Sequence, residues 1–159
     1  MNQRKPRAYL IYTAAMQLIL LTICSAAYAE LGGGIATVAG DAAKIKSAVR
    51  KTDAASYSIH NMTDAHGTAI KEYLSSGGVV FAVSWKGKRQ PDLQQLLGTY
   101  YTRYSESARV KRSTYKGRRN GISITQSDFV IRVRGHMGFS AGTAYLPDKV
   151  PAGIDISSL

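Results

Sequence analysis

Apolar and polar residues alternate through three consecutive segments of the chain, and this spacing predicts three β-strands. The segments are Tyr57–Met62, Thr68–Ser75 and Val79–Lys86. Alternation is typical of strands because successive side chains point to opposite faces of a sheet. Short turns at Asp64–Gly67 and Ser76–Gly78 separate the segments. Strands joined by such short turns pair antiparallel, so we expect a meander.

The segment Val79–Lys86 has the strongest strand pattern. One of its faces is predicted to hold the larger apolar side chains, which are Val79, Phe81, Val83 and Trp85. Trp85 is the sole tryptophan of the chain. We expect it to pack in the core rather than to form a platform for a ligand.

A helical spacing of apolar residues follows at Pro91–Tyr104. These residues are Leu93, Leu96, Leu97, Tyr100, Tyr101 and Tyr104. Their i, i+3, i+4, i+7 spacing predicts an amphipathic helix. Pro91 suits the first helical position, and Gly98 is expected to be tolerated inside the helix at a cost of about 1 kcal/mol. The apolar stripe predicts that this helix packs across one face of the sheet.

A weaker helical pattern covers Asp41–Lys51, with Asp41 as its cap. We expect this shorter helix at an edge of the sheet. Before it, Gly32–Gly34 predicts a flexible linker rather than a phosphate-binding loop, because no Gly-Lys-Ser/Thr sequence follows.

The remaining chain predicts a basic loop followed by a hairpin. Ser105–Gly121 is polar and has no clear period, so we expect a mobile loop near residues 105–121. Strands are predicted at Gly121–Thr125, Phe129–Arg134 and Phe139–Leu146, with the turn Gly135–Gly138 between the last two. The sequence therefore predicts an α+β fold. Its antiparallel sheet combines a meander with a C-terminal hairpin, and one main amphipathic helix packs on one face.

The first 29 residues have the pattern of a secretory signal peptide. A basic start at Arg4–Arg7 precedes an uncharged segment, residues 8–29, which ends in an A-x-A site at Ala29. We predict cleavage between Ala29 and Glu30. Cleavage there leaves residues 30–159 as a single small domain in the periplasm or outside the cell, with no transmembrane segment.

Two alternatives to this cleavage stay open. Residues 8–29 are long enough to span a bilayer, which needs roughly 20 residues, so an uncleaved leader would anchor the chain in the inner membrane. Cys24 would instead permit a lipoprotein, although the residue before it is the bulky Ile23.

Composition narrows the chemistry of the exported part. Cys24 is the sole cysteine, so residues 30–159 have none, which excludes disulfides, thiol catalysis and cysteine metal sites. The leader holds three of the 21 Lys and Arg residues and none of the 10 Asp and Glu residues. The remainder carries 18 basic against 10 acidic residues, a formal charge of +8. This surplus favours anionic partners.

Much of the surplus lies in one segment and one strand. The candidate anion-binding residues are Arg109, Lys111, Arg112, Lys116, Arg118, Arg119, Arg132 and Arg134. Arginine binds phosphate and carboxylate groups with paired hydrogen bonds. An exported protein meets little nucleic acid, so the expected partner is an anionic lipid or polysaccharide of the cell envelope. The alternative is a solvated loop whose charge serves only solubility.

One motif points to catalysis. Gly138–Gly142 matches the G-x-S-x-G pattern of a nucleophile elbow, with Ser140 at its centre. No helix is predicted after it and no histidine follows it, so a strand interrupted by glycines is the favoured interpretation. His60, His66 and His136 are not spaced like metal ligands. We therefore predict no catalytic residue, metal site or cofactor.

Several blocks of the sequence match a known family. They are Gly67-Thr68 with Glu72-Tyr73, Gly78–Trp85 leading into Pro91–Gly98, Gly135–Met137, Ala144–Pro147 and Pro151–Gly153. Together they resemble a family of exported bacterial proteins catalogued as domain of unknown function 2844. The resemblance implies bacterial export and a single small domain. It implies no activity, cofactor or catalytic residue.

The expected function is a non-enzymatic protein of the bacterial cell envelope that binds or interacts with anionic envelope components. Two alternatives come from different functional classes. One is a small exported hydrolase that uses Ser140 or His136, and the other is a structural or assembly partner in the envelope.

Overall fold

The computed structural model of the protein describes residues 30–114 and 121–159. Its elements in chain order are α1 (Ile35–Lys44), β1 (Arg50–Asp53), β2 (Tyr57–Thr63), β3 (Ala69–Ser75), β4 (Val80–Gly87), α2 (Leu93–Leu97), α3 (Tyr100–Thr114), β5 (Gly121–Thr125), β6 (Val130–His136) and β7 (Phe139–Tyr145). Short 3₁₀ turns follow at Pro147–Lys149 and Ile156–Ser158. The predicted signal peptide, residues 1–29, lies outside the described residues.

The seven strands form one antiparallel sheet in the order β1-β2-β3-β4-β7-β6-β5. The predicted meander and the predicted C-terminal hairpin are both confirmed. They belong to the same sheet because β7 pairs with β4, although α2, α3, β5 and β6 separate these two strands in the chain. The predicted α+β class is therefore confirmed.

The two faces of the sheet are buried in different ways. On the face that we call the covered face, the three helices enclose the main core, with Phe129, Ile131 and Leu97 fully buried. On the opposite face, which we call the open face, a small aromatic cluster around Phe81 packs against the C-terminal segment after β7. The helices thus cover only one side of the sheet, as the amphipathic pattern of Pro91–Tyr104 predicts.

A β-bulge in β4 reverses part of the predicted alternation. Tyr73 pairs with Ala82, but the next residue, Leu74, pairs with Val80, so Phe81 is an extra residue between them. Val80 joins Val83 in the core under the helices, and Phe81 lies in the aromatic cluster of the open face. The prediction that Phe81 shares a face with Val83 and Trp85 is therefore wrong.

The glycine segment Gly32–Gly34 is part of the fold, and its prediction as a flexible linker is wrong. The Gly32 N–H donates to the Val80 carbonyl, the Val80 N–H donates to the Gly33 carbonyl, and Gly34 bridges to Val79. Gly32 has a positive φ of 89°, which an L side chain rarely adopts. These bonds hold the start of the domain against the first residues of β4.

Gly98 divides the predicted helix Pro91–Tyr104 into α2 and α3. The Asp92 carboxylate caps α2 by accepting from the Gln94 and Gln95 N–H groups, so the helix begins after Asp92 rather than at Pro91. Gly98 has φ 51° and ψ −122°, and the side chain of Glu30 occupies the space that a Cβ at Gly98 would need. The prediction that Gly98 is tolerated inside one continuous helix is wrong, because Glu30 packs into the break.

Residues 105–114 are helical, so the prediction of a loop over 105–121 is wrong for this part. They continue α3, whose inner side is anchored by the buried Tyr104 and Ala108. The Lys111 ammonium donates to the Ser123 carbonyl of β5. Residues 115–120 of the predicted loop lie outside the described residues.

The first helix also differs from its prediction. The predicted helix Asp41–Lys51 is replaced by α1 at Ile35–Lys44 and the strand β1 at Arg50–Asp53. Val38 and Ala42, one helical turn apart, are buried in the core, and this pair fixes the position of α1. Pairing with β2 takes Arg50–Asp53 out of the helix, since extended pairing satisfies its backbone groups.

An ion pair connects α3 to the turn between β5 and β6. The Arg103 guanidinium donates to both oxygens of Asp128, with N···O distances of 2.8 and 2.7 Å, and also to Gln126. The hydrogen bonds from Arg103 lower the pKa of Asp128 to about 2. Such a bidentate pair fixes the orientation of the two side chains and also adds stability.

We predict that Asp128→Asn lowers the melting temperature by a few degrees at neutral pH. The Asp128 pKa is lower in the folded chain than its ordinary value of 3.8. The contribution of the carboxylate is therefore complete above about pH 4 and disappears as the pH falls towards 2. Melting curves of both proteins across this range should converge at acidic pH. Glu106→Gln, at an exposed position of α3, is the control, and a constant difference down to pH 2 would contradict the role of the ion pair.

Candidate anion-binding site

One row across the open face has a polar residue on every strand. From β1 through β2, β3, β4, β7 and β6 to β5 these residues are Arg50, Asn61, Lys71, Ser84, Thr143, Arg132 and Ser123. We call this set the polar row. Directly paired residues of antiparallel strands share a face, and seven strands spaced about 4.8 Å apart make the row about 29 Å long.

Two further cations lie beside the polar row. Lys86 and Arg134 both pair with Ala141 of β7, from its two sides. On the other side of the row, the C-terminal segment covers the aromatic cluster and contributes Ile156, Ser157 and Leu159 to the edge of a groove. The groove has a volume of about 920 Å³.

The groove is strongly basic. Lys71, Lys86, Arg132 and Arg134 line it, together with Ser84, Ser123 and Thr143, and none of its lining residues within the described chain is acidic. All four cationic side chains are exposed. Their fields therefore add at the surface, and no Asp or Glu side chain among the described lining residues offsets them.

A second basic cavity, which we call the cleft, lies where α3 meets the end of β6 and the start of β7. It has a volume of about 570 Å³, and its cationic lining residues are Lys88, Lys111, Arg112 and Arg134, with His136 beside them. Its described lining residues also include no Asp or Glu. Arg134 lines both the cleft and the groove, so the two basic surfaces are continuous.

The predicted anion-binding residues are divided between these surfaces. Lys111 and Arg112 line the cleft, Arg132 lines the groove and Arg134 lines both. Arg109 is exposed on α3 outside the lining of either cavity. The remaining three, Lys116, Arg118 and Arg119, lie outside the described residues.

Sequence reasoning missed Lys71, Lys86 and Lys88. Lys71 is a lone lysine in β3, whereas Lys86 and Lys88 form a short basic run with Arg89. All three lie outside the basic cluster at residues 109–119. Lys71 pairs with Ser84, and Lys86 lies two positions after Ser84 in β4. The alternation of β3 and β4 places both on the face opposite Ile70 and Trp85, so a predicted register for the meander would have found them.

Ser140 and the glycines around it have structural roles. The Trp85 indole N–H donates to the Ser140 hydroxyl oxygen at 3.3 Å, and both residues are buried. A Cβ at Gly142 would collide with the Trp85 ring, and Gly138 has a positive φ of 77° in the hairpin turn. The G-x-S-x-G motif lies on β7 and its preceding turn, and no helix follows it directly. The glycines permit a tight turn and a close approach.

Ser140 and His136 both line the cleft. The His136 Nδ1 lies 2.9 Å from the Met137 carbonyl oxygen, and its imidazole stacks on Phe139 with ring centroids 5.2 Å apart. A nucleophilic serine needs a base within hydrogen-bond reach and a third group to orient that base. The described lining of the cleft supplies no carboxylate for the third position.

The other histidines of the chain are His60 and His66. Among residues 30–114 and 121–159, no group of three or more His, Cys, Asp or Glu residues is placed to hold a metal ion. His60 is buried under the covered face, and its Nε2 lies 3.5 Å from the Ser58 hydroxyl. Burial lowers the pKa of His60, the charge of Lys51 lowers it further, and Asp53 opposes both effects. These shifts favour a neutral imidazole.

The geometry defines an α+β domain with one covered face and one open basic face. The chain belongs to the family described as Protein of unknown function (DUF2844), whose family model matches residues 27–159. The resemblance inferred from the sequence blocks is thereby confirmed. Comparison with curated proteins and with solved structures gives no match. Within the part of the chain that is described, no helix has the length and apolar character to cross a bilayer.

We predict that Ser140→Ala lowers the free energy of unfolding by about 1–3 kcal/mol, because the buried Trp85 N–H loses its acceptor. Urea unfolding followed by fluorescence reports this directly, since Trp85 is the only tryptophan. Ser123→Ala, at an exposed position of β5, is the control. Unchanged stability of the Ser140 variant would show that the Trp85–Ser140 bond does not stabilise the fold.

Proposed function

We propose that this chain is an exported, non-enzymatic binding protein of the bacterial cell envelope that captures anionic envelope components. The observation that carries the proposal is the convergence of basic side chains in the cleft. They come from three separate parts of the chain, namely the turn after β4, the end of α3, and β6. Phosphate and carboxylate groups are the chemistry that such side chains recognise.

The arrangement of charge supports binding rather than general solubility. A surface that serves only solubility intersperses charges of both signs. The described lining residues of the cleft instead bring together Lys88, Lys111, Arg112 and Arg134 and include no acidic residue. Lys111 also donates to the Ser123 carbonyl, which restricts its movement and reduces the entropy that it loses when a ligand binds.

The position of Glu30 supports export by cleavage after Ala29. The Glu30 carboxylate accepts from the Thr99 N–H at the start of α3. Leu31 is fully buried, and its N–H donates to the Leu96 carbonyl. Cleavage after Ala29 would therefore retain every one of these contacts, whereas removal of a few more residues would break them.

The geometry favours binding over hydrolysis. The Ser140 hydroxyl accepts from the Trp85 indole, and Ser140 is buried in a strand. This bond shows a structural role for Ser140. The hydrolase hypothesis does not require such a bond. The third hypothesis, a structural or assembly partner in the envelope, stays a prediction from the sequence.

We predict that Arg112→Ser weakens binding to an anionic polysaccharide and to vesicles containing phosphatidylglycerol by about fivefold, the loss expected for one cation near an anionic surface. Isothermal titration at low salt, where screening is weakest, measures the change. Arg109→Ser is the matched control, because it removes the same charge from the same helix outside the lining of the cleft. Equal weakening by both substitutions would point to net charge alone.

We also predict that the exported protein begins at Glu30. Ala29→Leu should block processing because the A-x-A site needs a small residue at this position, whereas Tyr28→Phe should be processed normally. Mass spectrometry of the product from periplasm and membrane fractions measures the first residue. Recovery of the unsubstituted chain with its leader intact in the cytosol would contradict export.

A further inference from the structure

We propose that the polar row binds an extended anionic glycan, with the polymer lying across the strands of the open face. This inference deepens the proposed function, and it rests on that function for the anionic class of the ligand. It adds a second surface, the groove, and a specific kind of partner.

The polar row has the dimensions of a polymer track. It crosses all seven strands over about 29 Å. This length is far greater than a site for one anionic group requires. Its cations are separated by neutral polar side chains: Arg50 and Lys71 flank Asn61, while Lys71 and Arg132 flank Ser84 and Thr143. Lys71 and Arg132 are three strand spacings apart, about 14 Å.

This alternation matches an anionic polysaccharide. Such a polymer presents carboxylates or phosphates at intervals and hydroxyl groups between them. Cationic side chains can pair with the anions, and the hydroxyl groups of Ser84, Thr143 and Ser123 can donate to or accept from the sugar hydroxyls. The Tyr73 hydroxyl lies 3.2 Å from the Ser84 hydroxyl, at the lining of the groove.

The open face fits other anionic macromolecules less well. A bilayer surface favours apolar side chains that insert beside the cations. The exposed large apolar residues of the described chain are Ile35, Val49, Val110 and Met137, and none of them lines the groove. Single-stranded nucleic acid favours exposed aromatic rings on which bases stack. Three aromatic residues line the groove. Tyr73 and Trp85 are each only 3% exposed, and Tyr145 is half-buried against the aromatic cluster.

The test removes two cations of the polar row from the exported protein. The variant is Lys71→Ser with Arg132→Ser, and the matched control is Arg109→Ser with Lys149→Ser, which removes equal charge from exposed positions outside the groove. Binding to polygalacturonate, to galacturonate monomer, to vesicles of phosphatidylglycerol and phosphatidylcholine, and to single-stranded oligothymidylate is measured by titration. Thermal melting checks that both variants fold, and Lys71→Gln with Arg132→Gln replaces the first variant if it does not.

We expect polygalacturonate to bind much more tightly than its monomer, because only the polymer reaches several cations at once. We also expect the polar-row variant to bind the polymer at least about tenfold more weakly than the control. Equal affinities of the two variants, or equal affinity per sugar for monomer and polymer, would overturn the inference. Tighter binding of vesicles or of oligothymidylate than of the polysaccharide would also overturn it.

The Arg112→Ser variant separates this inference from the proposed function. If Arg112→Ser weakens polysaccharide binding and the polar-row variant does not, the anion binds in the cleft alone, and the polar-row inference fails while the proposed function stands. If neither variant changes binding relative to its control, both fail.

Discussion

The pairing of β4 with β7 is the interaction on which the basic surface depends. It joins two separate meanders into one sheet. Lys71 and Lys86 belong to the first meander, and Arg132 and Arg134 belong to the second. Without this pairing, each meander would carry only two of the four groove cations. The register of this pair determines which cations align. Because Ser84 lies opposite Thr143, Lys71 and Arg132 fall in the same row.

The sequence predicted the regular parts of this fold, and it failed where distant residues decide the local structure. Alternation gave the strands of the meander and the hairpin because each strand has one face under the helices. It could not show the bulge at Phe81, since the extra residue is defined by pairing with β3. Likewise, the spacing around Gly98 is that of one helix, and the break depends on Glu30, which is 68 positions earlier in the chain. A pattern along the chain does not contain such contacts.

The candidate site was predictable only in part for the same reason. Charge density identified Arg112, Arg132 and Arg134, which do line basic cavities. Lys71 gave no such signal because it is the only cation of β3, and Lys86 is the only cation of β4. Only the order of the strands brings these two lysines beside the arginines. The G-x-S-x-G motif is the opposite case, a sequence signal without the site that it suggests. Its spacing resembles a catalytic turn, but its glycines allow close contact with Trp85 and a tight hairpin turn.

The cations of the open face repel one another, and the packing of the fold does not explain why they are held together. Like charges held near each other on one side of a sheet repel, and Arg132 and Arg134 are two positions apart on the same face of β6. An acidic residue at Thr143 or Ala141, which pair with these arginines, would offset the repulsion, yet both positions are neutral. The cations do not contribute to the packing of the core either, because their side chains are exposed. The anionic glycan proposed above would supply the missing negative charge, and its binding would remove the repulsion and gain the paired interactions.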